Sequence, residues 1–208
     1  MQLSQTSQID PEEADLRQAA EFEACRERLL RVVRIRIDSR LTGRLDPDDV
    51  LQEAYVDAWK RRGEFDPAKG TLLVWLRFIA LQKLTELHRK HLKVKSRDAR
   101  REVAVGFHGD GGASSVVLAS ALLGRLTGPV SGVSRAELCE QVQIRIERLP
   151  EADQELLIMR HFEQLSNSEV AETLGISVTA ACNRHVRALE RLRELLSDVR
   201  GIEDVLNA

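Results

Sequence analysis

The sequence predicts an all-α fold: two small helical domains joined by a flexible linker, the C-terminal one carrying a helix-turn-helix. Three observations lead there. Apolar residues recur at three- and four-residue intervals through two blocks, residues 16–95 and 135–196. With 4% aromatic residues, 12 Gly and 5 Pro in 208 positions, the chain is poor in what a turn-rich β-sandwich or barrel needs. Between the blocks, Val103–Arg135 holds seven glycines, five serines and one acid, Asp110, the composition of a linker.

The elements follow in order. An acidic N-terminal tail, residues 1–21, carries most of a −5 balance counted over Met1–Ala24, and a disordered segment is expected there. Residues 16–40 read as a helix through Leu29, Leu30, Val33 and Ile37, ended by Thr42-Gly43. Asp46-Pro47-Asp48-Asp49 is the next start: an N-capping Asp, Pro at the first helical position and acids in the first turn. Val50, Leu51, Ala54, Tyr55, Ala58 and Trp59 form its apolar stripe, and Asp48, Asp49, Gln52, Glu53 and Asp57 lie mainly off it. A loop over Gly63–Gly70 precedes a long helix from Thr71 to about Lys95, and residues 22–100 together can enclose one small core. The linker, residues 101–134, includes a short helix across Val116–Leu123.

The second domain, residues 135–200, opens with Ser134…Glu137 in capping-box spacing and continues at Pro150 with a helix carrying Leu156, Leu157 and Met159. Ser166-Asn167-Ser168-Glu169 is a second capping box, Gly175 fits the left-handed C-cap, and Ser177 caps a last helix lined by Ala181, Ala188, Leu189, Leu192 and Leu195. Residues 201–208 are a short tail. Helix, Gly turn and helix, with small Ala171 at the crossing, make a helix-turn-helix at about 167–186. Its second helix offers Thr179, Asn183, Arg184 and Arg187 to the major groove, where Arg suits guanine and Asn adenine.

Composition narrows the function classes. Cys25, Cys139 and Cys182 lie far apart with no metal-ligand spacing, so three reduced thiols and no metal are expected. No cofactor is expected either: a Gly-rich phosphate loop is lacking, and the acids cluster without a partnered His, which argues against an enzyme. The first thirty residues show no signal-peptide pattern, and the longest uncharged stretch, Gly111–Gly124, has 14 residues, too few to span a bilayer. A cytoplasmic protein is expected. The net charge of −2 hides a +7 balance over Arg77–Arg101, which points to a polyanionic partner. Trp75 and Phe78 beside Arg77, Lys83, Arg89 and Lys90 suit unstacked bases equally well as a core. The acidic helix 46–59 would repel phosphate, and on charge alone it reads as a solvated face.

The run Asp46-Pro-Asp-Asp-Val-Leu-Gln-Glu-Ala-Tyr-Val-Asp-Ala-Trp59 resembles the core-binding segment of bacterial RNA polymerase sigma factors of the sigma-70 family. Phe65–Ala80 is similar to that family's promoter-melting and minus-10 region. Leu149-Pro-Glu, Glu169–Ser177 and Asn183–Leu192 resemble its minus-35 reading domain. With no room for further domains, the resemblance is to the short extracytoplasmic-function type. It implies a non-enzymatic specificity subunit, monomeric when bound, whose partners are core RNA polymerase and promoter DNA, with an anti-sigma factor as a further partner the family allows. Residue by residue, it implies that Asp46, Asp49, Gln52 and Glu53 grip the polymerase. It further implies that Arg62, Phe65, Trp75, Arg77 and Lys83 serve minus-10 reading around the loop Arg62–Gly70, which would hold a flipped base, and that Thr179, Asn183, Arg184 and Arg187 dock the minus-35 element. Ala181, Cys182 and His185 depart from the family's usual larger aliphatic, Lys and Leu. The alternative is a stand-alone helix-turn-helix repressor or activator, which would bind DNA tightly without polymerase.

Overall fold

A computed structural model describes residues 11–38, 41, 43–92, 111–124 and 135–199, and every regular element among them is helical. The helices are α1 (Pro11–Ala24), α2 (Arg26–Arg36), α3 (Pro47–Lys60), α4 (Leu72–Leu92), α5 (Gly111–Gly124), α6 (Arg135–Ile146), α7 (Glu151–His161), α8 (Asn167–Leu174) and α9 (Val178–Leu196), with a 3-10 turn at Arg62–Glu64. Residues 1–10, the end of the basic run (93–101), both flanks of the linker and residues 200–208 lie outside the described residues; residues 11–21, in the tail expected to be disordered, belong to α1.

The single helix expected over 16–40 is two, broken at Cys25. The Phe22 carbonyl accepts the Tyr55 hydroxyl at 2.9 Å and the Cys25 N–H at 3.1 Å, so the chain tightens there as Phe22 enters the core. The α3 start is built as its sequence dictates: Asp46 Oδ1 accepts the Asp48 N–H at 2.9 Å and Pro47 occupies the first turn. In place of the short helix expected over 116–123, α5 spans 14 residues, and Leu118, Ala119, Leu122 and Leu123 are buried against α6 and α7. The middle of the Gly/Ser-rich segment therefore belongs to a core.

The helix-turn-helix caps are all present. Ser166 Oγ accepts the Glu169 N–H while the Glu169 carboxylate accepts the Ser166 N–H at 2.7 Å; Gly175 ends α8 at φ 64°; Ser177 Oγ accepts the Ala180 N–H at 3.1 Å. Open space surrounds a β-carbon placed on Gly175, so its cost is conformational alone. Gly175→Ala is expected to destabilise the fold by about 1 kcal/mol, read as a lower urea midpoint at unchanged slope. Along α9, Ala181, Ala188, Leu192 and Leu196 are buried, whereas Leu189, expected inside, is exposed and Leu195 is half-buried.

Two apolar clusters share α7, which is buried on all sides from Asp153 to Met159. Its Leu156 and Met159 join Leu165, Val170, Ala171 and Ala181 in one cluster with Leu29, Leu51, Leu76 and Ile79 of the N-terminal helices. Its Leu157 and Ile158 face α5, α6 and α9 in the other. The two halves are thus closed on each other through a common apolar interface.

That interface also contains charge. Arg36 of α2 and Arg77 of α4 meet Glu155 and Glu163 from the C-terminal half. Arg36 Nε donates to Glu163 at 2.7 Å and its two terminal nitrogens to Glu155 at 2.8 and 2.6 Å; Arg77 Nε donates to Glu163 at 2.7 Å. The side chains of Arg77 and Glu163 are both 0% exposed. Burial alone would raise the Glu163 carboxyl, but the two guanidiniums outweigh it and hold the group below the usual range. Nearer the surface, Arg28 grips Glu169 through two 2.8 Å bonds. Each of these charges has several opposite-sign hydrogen bonds, the condition under which buried ions hold, although Arg77 Nη1 is buried without a hydrogen-bond partner.

Candidate nucleic-acid interface

The acidic face of α3 divides in two. Asp48 is engaged by Arg26 and Arg34, and Asp57 by Lys83 at 2.7 Å. The Lys83 hydrogen bond holds the Asp57 carboxyl below its ordinary range. Asp49, Gln52 and Glu53 are exposed, and the two acids have no ion pair among the described residues. Val56, 54% exposed, extends the same face at the i, i+3, i+4, i+7 positions. An apolar residue held in water beside unneutralised carboxylates suits a basic protein partner. Charge reading alone overlooked Val56; its placement off the apolar stripe of Val50, Leu51, Ala54 and Ala58 was the available signal. Asp46 is exposed, and its carboxylate is spent on the cap.

Of the residues expected to serve the minus-10 site, three come together. Phe65 packs on Trp75 with ring centroids 5.4 Å apart, and Phe22 lies 6.3 Å from Trp75 on the other side. Arg62 lies over the Trp59 ring at 4.7 Å and donates to the Trp59 carbonyl at 3.0 Å. Phe65 and Trp75 are half-buried, and Trp75 packs against the first apolar cluster. The other two expectations are corrected. Arg77 is fully enclosed on Glu163 and Glu155, because two residues beyond Trp75 is the opposite side of a helix. Lys83 is 12% exposed and bridges Asp57 and Glu86, whose hydrogen bonds raise its amine above the ordinary range.

The loop end is also occupied from across the interface. Glu172 of α8 accepts the Thr71 N–H at 2.8 Å and the Thr71 hydroxyl at 3.1 Å, and Thr71 Oγ1 in turn accepts the Val74 N–H at 3.4 Å to cap α4. A β-carbon at Gly70 would collide with that carboxylate, so Gly70 leaves room for the Glu172 side chain to reach Thr71.

On α9, Thr179, Asn183 and Arg187 are exposed at four-residue spacing, one continuous strip. Arg184 departs from the expectation: its Nε donates to Asp153 Oδ1 at 2.9 Å. Two of the departures in this helix, Ala181 and His185, have inward roles. Ala181, 2% exposed, packs into the first cluster, where a larger side chain would push α9 away. His185 faces His161 of α7, Nε2 to Nε2 at 2.8 Å, and burial followed by the Arg160 charge lowers its pKa. Sequence reasoning missed Asp153, Glu155, Glu163 and Glu172. For Asp153, Glu155 and Glu163 the signal was faint, acids flanking the apolar run 156–159, and for Glu172 there was none.

No helix among the described residues is long and apolar enough to cross a membrane. Residues 22–93 match the family model described as Sigma-70 region 2, and residues 139–192 match Sigma-70, region 4. The chain is 33% identical over 156 residues to RNA polymerase sigma factor NccH of Alcaligenes xylosoxydans xylosoxydans, covering 73% of each chain. It is 28% identical over 151 residues to RNA polymerase sigma factor CnrH of Cupriavidus metallidurans, again 73% of each. A solved structure of CnrH in complex with the cytosolic domain of CnrY aligns at TM-score 0.43 and 23% identity, over 87% of this chain and 86% of that one.

Proposed function

Because the chain belongs to the sigma-70 family of bacterial RNA polymerase sigma factors, we propose that it binds core RNA polymerase and directs promoter-specific initiation without chemistry of its own. The observation that carries this reading is the pair of region matches, 2 then 4, placed on a free acidic helix face and a fully capped helix-turn-helix. In this reading Asp49, Gln52, Glu53 and Val56 meet the polymerase. Arg62, Phe65 and Trp75 receive an unstacked minus-10 base, where aromatic stacking offsets the cost of extracting it. Thr179, Asn183 and Arg187 enter the minus-35 major groove. Each DNA contact is weak alone, and the linker joining them raises the effective concentration of the second once the first is made. Residues 22–100 and 135–200 act as the two reading modules, in the cytoplasm.

The test is co-elution of the purified chain with core polymerase and run-off transcription from genomic fragments. Co-elution with initiation at a discrete set of sites is expected. Tight DNA binding by the free chain without co-elution would move the assignment to a stand-alone repressor. Arg187→Ala is expected to weaken the promoter complex and to reduce the salt slope of its affinity by about 0.9, the value for one lost phosphate contact. An unchanged slope would take Arg187 off the backbone.

A further inference from the structure

Asp153 stands on the first turn of α7, its N–H bonded to the Pro150 carbonyl at 2.8 Å. Its side chain is 3% exposed, and each carboxylate oxygen has its own arginine from α9: Oδ1 accepts Arg184 Nε at 2.9 Å, and Oδ2 accepts Arg191 Nη1 at 2.5 Å. Those two arginines are seven residues apart, two turns along one face of α9. A buried carboxylate bonded at both levels fixes the rotation of α9 about its own axis. Around these groups is a concavity of about 440 Å³, which Asn183 and Arg187 also line.

We propose that Asp153 is a positioning residue for minus-35 reading: by holding Arg184 and Arg191 it sets the angle at which Asn183 and Arg187 meet the base edges, and Arg184 is a strut of α9, not a reader. The proposal rests on the functional reading above. With side chains extending roughly 5–6 Å from a helix axis, a 10° rotation moves their tips by about 1 Å. That exceeds the roughly 0.5 Å tolerance of a preorganised constellation, and bidentate base recognition is the contact most sensitive to it. Arg184 is bound through Nε, the edge a guanidinium would use with one terminal nitrogen for a side-on bidentate pair. The carboxylate therefore competes directly with a base for that edge.

The test uses the full chain with core polymerase on a promoter library randomised at the minus-35 element. Asp153→Asn is expected to lower the preference for the best minus-35 sequence by about tenfold, spread over every base pair that Asn183 and Arg187 read. Polymerase co-elution and minus-10 preference should stay at wild-type values, which a merely misfolded domain would not allow. Asp153→Glu keeps the charge and should recover part of the preference. Arg184→Ala should weaken the promoter complex without erasing the preference at any single base pair. A wild-type minus-35 profile for Asp153→Asn, or loss of preference at one base pair in Arg184→Ala, overturns the positioning role. If Asp153→Asn fails to co-elute, the Glu variant decides: no recovery overturns it. Absence of initiation by the unaltered chain overturns the functional reading itself.

Discussion

Asp49→Arg is expected to abolish binding to core RNA polymerase, with a loss of at least about 100-fold in affinity, since like charges set against each other at an interface cost several kcal/mol. Asp49 is exposed on α3 beside Gln52, Glu53 and Val56, and it has no ion pair among the described residues that the change would break. Folding should therefore survive: helix content stays at the wild-type value, and stability falls by no more than about 1 kcal/mol, the cost of placing a cation in the first turn of α3. Asp48→Arg makes the contrast, because Asp48 is already engaged by Arg26 and Arg34. There the fold should weaken as two cations lose their acid. Full polymerase binding by Asp49→Arg, measured by size-exclusion co-elution or fluorescence anisotropy, would remove α3 from the polymerase interface.

Glu163→Ala is expected to cost about 3–5 kcal/mol of stability in urea unfolding at neutral pH. The change leaves Arg36 and Arg77 against Glu155 alone, two buried cations for one acid. A cost near zero would mean that both guanidiniums find water, which requires the halves to part. The same carboxylate gives the protein an acid limit. Its folded pKa lies below that of the unfolded chain, so the unfolded state binds more protons and stability rises with pH. The contribution is complete above the ordinary glutamate value of 4.5 and is lost as pH falls below it. Glu169, where the hydrogen bonds from Arg28 and Ser166 outweigh burial, pulls the same way. Glu163→Gln should flatten the acid side of the stability profile, and a profile identical to wild type would assign the acid limit to other groups.

What was legible in the sequence is what depends on near neighbours. Asp46, Ser166, Gly175 and Ser177 act within four residues of themselves, so their spacing announced the helix boundaries that the structure has. The exposed strip Thr179, Asn183 and Arg187 followed from helical periodicity in the same way. The misread site residues all involve distant partners. Arg77 sits within a basic run and reads as a DNA contact, but its partner Glu163 is 86 residues away. Arg184 was assigned to a base because nothing local marks Asp153, 31 residues earlier, as its acceptor. Lys83 was lost to Asp57, 26 residues before it, on a neighbouring helix. Composition misled once: the glycines around α5 suggested linker throughout, while Leu118, Leu122 and Leu123 were sufficient to hold a helix on α6 and α7.

The contact of Glu172 with Gly70 and Thr71 has a consequence for affinity. Elements at minus-10 and minus-35 are about 25 base pairs apart, or roughly 85 Å of duplex at 3.4 Å per pair. In the closed chain the loop that would hold one and the helix pair that would read the other touch. On the proposed function, a single molecule cannot engage both without separating them, and the species competent for promoter binding is then the open fraction of the population. Measured affinity for the two-element site is then the intrinsic affinity scaled by that fraction. A substitution at Glu172 that touches neither polymerase nor DNA would strengthen promoter binding simply by enlarging it.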